Sequence, residues 1–378
     1  MDWRIPLADL DYGIEEEEAV LGVLRSKWLT MGGVTQEFEA EFGRTSGASH
    51  AFAVGNATEA LHLACAALEI GPGDEVITPS LSFVATSNAV LYTGAEVRFA
   101  DVCGPEDLTI DPLEIERQIT PRTRAVIVMH YGGYPCRMAE IAEVTRRHGI
   151  ALIEDAAHCP GAALDGRGLG TWGDIGCFSF FSNKNLSTGE GGMLVTLRAD
   201  LAERIRLMRS HGMTTLTYDR HKGHAFSYDV VALGYNYRID EIRAALGLVQ
   251  LRKLAGNNAR RRAWTELYWE QLSGLGVGLP FQSTWRGQPA YHIFPMLLPE
   301  GTNRMKFMDA MRDQRIQTSI HYPPTHRFTY YTRRYGDVSL PHTEAVSARE
   351  VTLPLYPTMG EQGVSTVVEA VKRALESA

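Results

Sequence analysis

Long hydrophobic runs are missing from this sequence. No uncharged apolar stretch approaches the ~18 residues that signal a membrane span. Residues 1–10 carry Asp2, Arg4 and Asp9 among their apolar neighbours, which is unlike a secretory leader. We therefore expect a soluble protein that is not secreted, has no membrane partner and resides in the cytoplasm.

Cysteine is sparse, and its spacing excludes the usual zinc patterns. The 378-residue chain has 5 cysteines, an odd number, without a CxxC pair or a Cys/His spacing suited to zinc. They are Cys65, Cys103, Cys136, Cys159 and Cys177. The pattern predicts reduced thiols and no metal site.

A strong excess of one charge is also absent. The chain has 37 basic and 45 acidic residues, for a net charge of -8 at pH 7, and no long run of one sign. Such a balance does not favour electrostatic capture of nucleic acid. We expect no nucleic-acid partner, and a nucleotide-bearing ligand would need a local basic pocket.

What the sequence does contain is an alternation of short apolar runs with longer amphipathic ones, which is typical of an α/β fold. The predicted strand and helix pairs are 51–54 with 59–68, 75–78 with 84–91, and 125–129 with 139–148. Gly149 is predicted to end a helix before a strand at 150–153. A largely parallel sheet covered by helices follows.

Length and composition favour two domains that share a cleft, since 378 residues with 44% hydrophobic content exceed one minimal domain. A strand at 193–197 and helices at 201–209 and 240–254 complete a predicted large domain, 1–254. Beyond the cluster Arg260-Arg261-Arg262 the pattern changes to a helix, a proline-rich stretch and a last helix at 365–375. These predict a smaller C-terminal domain, 255–378.

Gly55-Asn56-Ala57-Thr58 lies between a predicted strand and helix. Free N–H groups at a helix start, together with a Thr hydroxyl, make a natural phosphate site. The same residues also fit an ordinary helix cap.

Asp155 and His158 follow an apolar strand, at the edge where α/β sheets place their ligands. A carboxylate there can hold a heterocyclic nitrogen protonated, as pyridoxal phosphate (PLP) requires. An Asp at a strand end is equally common as a cap or turn residue, and a His in this place also fits simple packing.

Lys184 stands in a polar turn after the aromatic stretch Phe178 to Phe181, in a chain where lysine is scarce and arginine supplies most of the positive charge. A lysine that loses its proton becomes a nucleophile, which arginine does not. The alternative is a solvated loop lysine, which the apolar flanks disfavour.

Two glycine-containing segments are weaker signals. Gly189-Glu190-Gly191-Gly192 predicts a turn that lets backbone approach closely. In Leu233-Gly234-Tyr235-Asn236-Tyr237-Arg238, Asn236 has the chemistry to donate to a phosphate oxygen, but asparagine is also a common turn residue.

Taken together, these segments resemble the sugar-nucleotide aminotransferases of the DegT/StrS type, a branch of the fold-type I PLP enzymes, over nearly the whole chain. The motifs that carry the resemblance are GNATEALHLA at 55–64, GPGDEVITPSLSFVATSNAVLYTGA at 71–95, VIVMHYGG at 126–133, IEDAAHCPGA at 153–162, GCFSFFSNKNLSTGEGG at 176–192, LGYNYRIDEIRAAL at 233–246 and SIHYPPTHRF at 319–328.

The resemblance implies a role for particular residues. Lys184 would bind PLP covalently, Asp155 would pair with the ring nitrogen, Phe83 would stack on the ring and His158 would lie near its hydroxyl. Ala57, Thr58 and Ser179 would hold the phosphate, and Asn236 would reach it from the partner of a homodimer. His321, Tyr322 and His326 would lie near the sugar.

The implied reaction transfers an amino group, by family habit from L-glutamate, to a nucleotide-linked keto sugar. The segments around Ile320 to Tyr322 and around Phe83 favour C4 of a 4-keto sugar over a 3-keto substrate. Departures from the pattern are Ala57 for glycine and Glu59 for a small residue. Lys184 is retained where sugar dehydratases of the family carry histidine, which favours transamination. A non-catalytic regulator that binds PLP is the alternative from another class.

Overall fold

The structure, a computed structural model, describes residues 2–215, 227–284 and 286–378. The strands are β1 (His50–Val54), β2 (Glu75–Pro79), β3 (Glu96–Ala100), β4 (Val102–Gly104), β5 (Asp107–Ile110), β6 (Thr123–Met129), β7 (Ala151–Asp155), β8 (Ala163–Leu164), β9 (Arg167–Gly168), β10 (Ile175–Ser179), β11 (Gly192–Thr196), β12 (Phe294–Leu297) and β13 (Glu350–Leu353).

A seven-stranded sheet forms the centre, with the order β1-β11-β10-β7-β6-β2-β3. Only β11 runs antiparallel to its neighbours, β1 and β10, and the other pairs are parallel. The predicted, mainly parallel sheet is confirmed. Parallel strands end at the same edge, so Val54, Asp155 and Ser179 finish at one edge of the sheet, with Gly192 of β11 between Val54 and Ser179.

The helices are α1 (Ile14–Ser26), α2 (Gly33–Ser46), α3 (Ala57–Ala67), α4 (Ala85–Tyr92), α5 (Pro112–Gln118), α6 (Met138–His148), α7 (Ala199–Met208), α8 (Glu241–Leu272), α9 (Arg304–Asp313), α10 (Thr329–Tyr335), α11 (Pro341–Arg349) and α12 (Gly360–Ser377). Gly149 adopts a left-handed conformation and ends α6, as predicted. None of the helices in the described ranges combines the length and hydropathy needed to cross a bilayer.

Helices cover both faces of the sheet, because successive strand residues point to opposite sides. In β6, Val126 and Val128 pack in one buried cluster with residues of α2, α6 and α8. Ala125 and Ile127 pack in another with residues of α3, α4 and α7. Burial on both faces explains why the strands have nearly continuous apolar sequences.

Helix α8 is continuous from Glu241 to Leu272, so the expectation that it ends at 254 was wrong. Arg261, one of three arginines at the predicted domain change, is buried and donates to the carbonyls of His292 and Leu355. The division into 1–254 and 255–378 stays a prediction, and its boundary falls inside this helix.

A separate core lies in the C-terminal part, where β12 and β13 pair antiparallel. Its buried residues include Tyr268 of α8, Phe294 of β12 and Val367 of α12. The N-terminal segment reaches this part, since the N–H of Ile5 donates to the carbonyl of Arg315 and the N–H of Leu355 donates to the carbonyl of Leu7.

Candidate active site

A cleft of about 720 Å³ opens where the central strands end. Nine of the sequence-predicted site residues line it: Ala57, Thr58, Phe83, Asp155, His158, Ser179, Lys184, His321 and Tyr322. His321 and Tyr322 come from the C-terminal part of the chain, while the others follow strands of the sheet. The cleft therefore lies between the sheet edge and the C-terminal part.

Lys184 stands in the turn after β10, where its N–H donates to the carbonyl of Phe181 (2.9 Å). Burial lowers the pKa of Lys184 to about 8, against the opposing attraction of Asp155 and Cys159. Its Nζ lies 3.5 Å from Nε2 of His292. An amine with this pKa releases its proton far more readily than an ordinary lysine, as a nucleophile or base requires.

Asp155 is buried at the end of β7. Its Oδ2 accepts from the Thr86 hydroxyl (2.7 Å) and its Oδ1 from the N–H of Ala157 (3.2 Å). Burial raises the pKa of Asp155, and the hydrogen bonds from Thr86 and Ala157 oppose that rise. A cationic partner facing this carboxylate would favour its ionised form.

Thr86, which the sequence did not single out, donates to Asp155. Its proton is committed to Asp155, so Ser82 Oγ, 2.6 Å from Thr86 Oγ1, is the donor in that pair. Both residues are buried in the segment that contains Phe83. The spacing of four between two hydroxyl residues was the available signal, but only the fold places them against Asp155.

The first turn of α3 fits a phosphate group. The Asn56 side chain accepts from the N–H of Glu59 (2.9 Å) and caps the helix, which leaves Ala57 and Thr58 in the turn whose N–H groups have no acceptor within the helix. Gly192 lies directly behind: a Cβ there would meet the Asn56 carbonyl carbon at 2.5 Å and the Ala57 nitrogen at 2.9 Å. The close backbone approach predicted for the turn at 189–192 is confirmed at Gly192.

Glu59, the unusual residue in the first turn of α3, is tied down locally. Its carboxylate accepts from the N–H of Gly55 (2.8 Å) and from the Asn56 side chain (3.1 Å). Burial raises the pKa of Glu59, while Arg243 of α8 counteracts that rise. Arg243, which sequence reasoning also missed, brings a positive charge near the phosphate site.

His158 and Tyr322 form a hydrogen-bonded pair in the cleft. The N–H of Gly132 donates to His158 Nδ1 (3.2 Å), so Nε2 carries the ring proton and donates to the Tyr322 hydroxyl oxygen (2.9 Å). Burial holds the pKa of His158 well below its usual range. The Tyr322 O–H remains available as a donor, and its ring lies 6.1 Å from that of Phe83, which is 57% exposed.

His321 is held from behind by two fully buried residues of β13. Its N–H donates to Glu350 (2.8 Å), and its Nδ1 lies 2.8 Å from Thr352 Oγ1. Burial raises the pKa of Glu350 to about 8, while the hydrogen bonds that it accepts from Thr352 and His321 oppose that rise. Thr352 donates to Glu350 Oε1 (2.5 Å), so its oxygen accepts from His321 Nδ1–H and the ring of His321 presents Nε2 as an acceptor.

Two predicted site residues lie elsewhere in this chain. Asn236 is exposed, bridges to Ser210, and is not among the cleft-lining residues of the described ranges. His326 is buried and contacts Ser80 (2.6 Å) and Glu344 (3.2 Å), so its proximity to a sugar stays a prediction.

The residues of the cleft fit PLP, the cofactor predicted from the sequence. The cleft volume is within the range of about 300–1,000 Å³ of small-molecule sites. A buried carboxyl suits a protonated ring nitrogen, a lysine of lowered pKa suits covalent attachment, and a helix start suits phosphate.

Comparison with known proteins follows this chemistry. The family model of the DegT/DnrJ/EryC1/StrS aminotransferase family matches residues 11–372. The spore coat polysaccharide biosynthesis protein SpsC of Bacillus subtilis (strain 168) is 39% identical over 376 residues, which cover 97% of this chain and 96% of SpsC.

Solved structures agree in fold. PseC of Helicobacter pylori, an aminotransferase involved in the biosynthesis of pseudoaminic acid, superposes with a TM-score of 0.93 at 27% identity, covering 99% of this chain and 100% of PseC. DesI, solved in the presence of its TDP-sugar product, gives a TM-score of 0.88 at 32% identity, covering 99% of this chain and 94% of DesI. The predicted aminotransferase fold is confirmed.

Proposed function

The chain belongs to the DegT/DnrJ/EryC1/StrS aminotransferase family, and on that premise we propose that it transfers the amino group of L-glutamate to C4 of a nucleotide-linked 4-keto sugar. It is a sugar aminotransferase with PLP as its cofactor. The sugar carbon, the amino donor and a role in deoxyamino-sugar biosynthesis are our proposals. The observation that carries them is the joining of Lys184 and Asp155 with His321 and Tyr322 in one cleft.

We assign the cofactor contacts as follows. Lys184 would hold PLP covalently and Asp155 would accept a hydrogen bond from the ring nitrogen. The N–H groups of Ala57 and Thr58, with the Thr58 and Ser179 hydroxyls, would hold the phosphate. Phe83, exposed beside Tyr322, would stack on the ring, and His158 would lie near the ring hydroxyl. This assignment is supported by their shared position along the cleft.

Lys184 is the residue that moves the proton. When bound, PLP supplies an electron sink that stabilises negative charge at the carbon losing its proton. The released Lys184 amine takes the proton from Cα of the amino donor, and the lowered pKa of Lys184 keeps the base form accessible near neutral pH. Asp155 stays ionised opposite the protonated ring nitrogen.

Tyr322 supplies a hydrogen-bond donor, and His321 an acceptor, for the sugar. The Tyr322 O–H is free because His158 donates to its oxygen, and the ring of His321 presents Nε2 as an acceptor. A donor and an acceptor suit a ketone oxygen and a neighbouring hydroxyl. The choice of C4 rests on the sequence around His321 and Phe83, and a nucleotide carrier is supported by the TDP-sugar product of DesI.

The test uses two thymidine-diphosphate 6-deoxyhexoses, one with the ketone at C4 and one at C3, each supplied with L-glutamate and the PLP-loaded protein. We expect 2-oxoglutarate release with kcat/KM at least about tenfold higher for the 4-keto sugar, a difference of about 1.4 kcal/mol. NMR of the product locates the new amine. A product aminated at C3, or faster turnover of the 3-keto sugar, contradicts the proposal.

Lys184→Arg is the control, because it keeps a positive charge but does not bind PLP covalently. We expect no turnover from this variant. Borohydride treatment of the wild-type protein should link PLP to the Lys184 peptide, and a label on another lysine would contradict the assignment.

A further inference from the structure

Behind Lys184 lies a relay of three polar side chains: Asn185 and His292 are buried, and Asn258 is half-buried. Asn258 Nδ2 donates to the carbonyl of Pro160 (2.9 Å), and its Oδ1 accepts from Asn185 Nδ2 (2.8 Å). Asn185 Nδ2 also donates to the carbonyl of Ala290 (2.7 Å). Asn185 Oδ1 lies 2.9 Å from His292 Nδ1. None of these three residues belongs to the cofactor contacts assigned above.

The orientation of each amide is fixed by a backbone carbonyl. A carbonyl only accepts, so the Pro160 and Ala290 carbonyls each require the NH₂ end of the amide that faces them. Asn185 is therefore left with its oxygen towards His292, and His292 Nδ1 is the donor. The proton of the neutral imidazole is thus on Nδ1, and Nε2 carries a bare lone pair.

That lone pair faces the amine, since His292 Nε2 lies 3.5 Å from Lys184 Nζ. Burial, reinforced by His158 and Lys184, holds the pKa of His292 well below its usual range, so the ring stays neutral. Arg261 and Gly132 fix the backbone of His292, whose carbonyl accepts from Arg261 (3.2 Å) and whose N–H donates to Gly132 (2.8 Å). His292 is a rigid acceptor.

We propose that His292 is a positioning residue for Lys184. Whenever the lysine amine is not attached to the cofactor, His292 Nε2 accepts one of its N–H groups. Asn185 and Asn258 keep the His292 ring in the accepting tautomer. This proposal rests on the proposed role of Lys184 as the PLP-binding base. It involves no covalent step, because His292 exchanges only a hydrogen bond with the amine.

The expected consequence is a higher affinity of Lys184 for its proton. A neutral acceptor favours the ammonium form over the amine. The other groups that face Lys184 are Asp155 and Cys159, which favour the ammonium form, and His158 and His321, whose pKa values are lowered by burial and by Lys184. Removing the acceptor alone should therefore lower the pKa of Lys184.

The test measures the pKa of Lys184 in the cofactor-free full chain, so that it does not depend on turnover. Acylation of Lys184 by an amine-selective reagent is followed from pH 6 to 10 by peptide mass spectrometry, with the exposed Lys306 as the internal reference. Two variants are compared. His292→Leu removes the acceptor, while His292→Gln keeps an oxygen towards Lys184 and an NH₂ towards Asn185.

We expect His292→Leu to lower the pKa of Lys184 by about one unit, as loss of one hydrogen bond to a charged group predicts, and His292→Gln to stay within about 0.3 units of the wild type. Equal shifts in both variants, or no shift in His292→Leu, overturn the proposal. Failure of the sugar assay with these shifts intact would overturn only the proposed function.

A second measurement compares the wild-type protein with His292→Gln, and it serves in case His292→Leu does not fold. In the ¹⁵N-histidine spectrum of the cofactor-free chain, we expect one neutral ring protonated on Nδ1 whose signals are absent from His292→Gln. If the signals lost in that variant report protonation on Nε2, His292 cannot accept from Lys184 and the proposal is wrong.

Discussion

Lys184 and Asp155 owe their chemistry to opposite effects of the same burial. An apolar environment disfavours either charged form, so burial lowers the pKa of the lysine to about 8 and raises the pKa of the carboxyl. The two groups partly compensate, because each attracts the charged form of the other. Binding a cation beside Asp155 would weaken that compensation for Lys184 and favour its neutral amine.

Asp155→Asn should keep the cofactor bound but reduce the transamination rate by on the order of a hundredfold or more, because a neutral amide does not stabilise a positive charge on the ring nitrogen. Turnover and PLP occupancy are measured on the same preparation. Thr86→Val is the matched control, since it removes the hydrogen bond to Asp155 but leaves the carboxylate. The transamination rate of Thr86→Val should fall by less than about tenfold. If the rates of Thr86→Val and Asp155→Asn fell equally, the effect would be due to packing.

Glu350→Gln should change how stability depends on pH. The pKa of Glu350 is about 8 in the fold and 4.5 in the unfolded chain. Between pH 4.5 and pH 8, the folded protein therefore binds a proton at Glu350 that the unfolded chain does not. The stability it contributes is fully present below pH 4.5 and is lost as pH rises through 8, by up to about 1.4 kcal/mol per unit. Glutamine does not titrate.

Denaturant unfolding at pH 5 to 8.5 checks this expectation. The free energy of unfolding of Glu350→Gln, relative to that of the wild type, should increase steadily with pH. Parallel curves would show that Glu350 is ionised in the fold throughout this range.

Among the secondary-structure elements, α3 depends on β11 for the position of its first turn. Gly192 starts β11, and a Cβ there meets the backbone of Asn56 and Ala57 at 2.5 to 2.9 Å. Backbone does not yield as a flexible side chain does. Gly192→Ala should therefore displace the start of α3 and weaken PLP binding at least about tenfold, a cost of about 1.4 kcal/mol.

Gly256→Ala is the matched control for this substitution. Gly256 is exposed within α8, and a Cβ there meets nothing within 4 Å, so the change should stabilise the helix by up to about 1 kcal/mol and leave PLP affinity unchanged. PLP dissociation constants and thermal melts of both variants provide the measurement. If Gly192→Ala bound PLP with wild-type affinity, the start of α3 would not be the phosphate site.

Periodicity and turn residues were sufficient to predict many of the elements. The helix predicted at 139–148 is α6 (Met138–His148), and the strand predicted at 193–197 is β11 (Gly192–Thr196). The end of α8 was misplaced because three arginines suggest a solvent-exposed boundary, whereas Arg261 is buried against two carbonyls. Such a contact joins residues far apart in the chain, and local sequence does not encode it.

The candidate site divides in the same way. Lys184 and Asp155 are predicted as site residues because they stand in motifs at strand ends, where ligand chemistry concentrates. Thr86, His292 and Glu350 were missed because buried polar residues acquire a role only through a partner in space. His292 stands near Phe294 in an apolar stretch, and that stretch predicts only an ordinary strand.

At the scale of the whole molecule, we predict a homodimer whose two sites are each completed by Asn236 of the partner. Asn236 is exposed in this chain, as are Leu233 and Val231 beside it. In a twofold dimer, a Lys184→Ala chain paired with a chain bearing Asn236→Ala places both lesions in one site and none in the other. Mixed dimers should regain about half of the wild-type activity.

The mixing experiment requires that both parents be nearly inactive alone and that mixed dimers be isolated with two different affinity tags. If Asn236 serves the site of its own chain, each site of the mixed dimer holds one lesion and activity does not return. Verified mixed dimers without recovered activity would therefore exclude the shared site.

The pairing of β1 with β11 has a consequence for how the protein is made. His50 pairs with Thr196 and Val54 with Gly192. The first strand of the sheet to be synthesised therefore cannot form its hydrogen bonds until the last strand has been synthesised. Pairings between such distant residues slow folding, and an unpaired apolar edge favours association with other chains. On the ribosome, the nascent chain exposes β1 until β11 has left the exit tunnel, and the end of α3 that faces the cleft takes its final position only then.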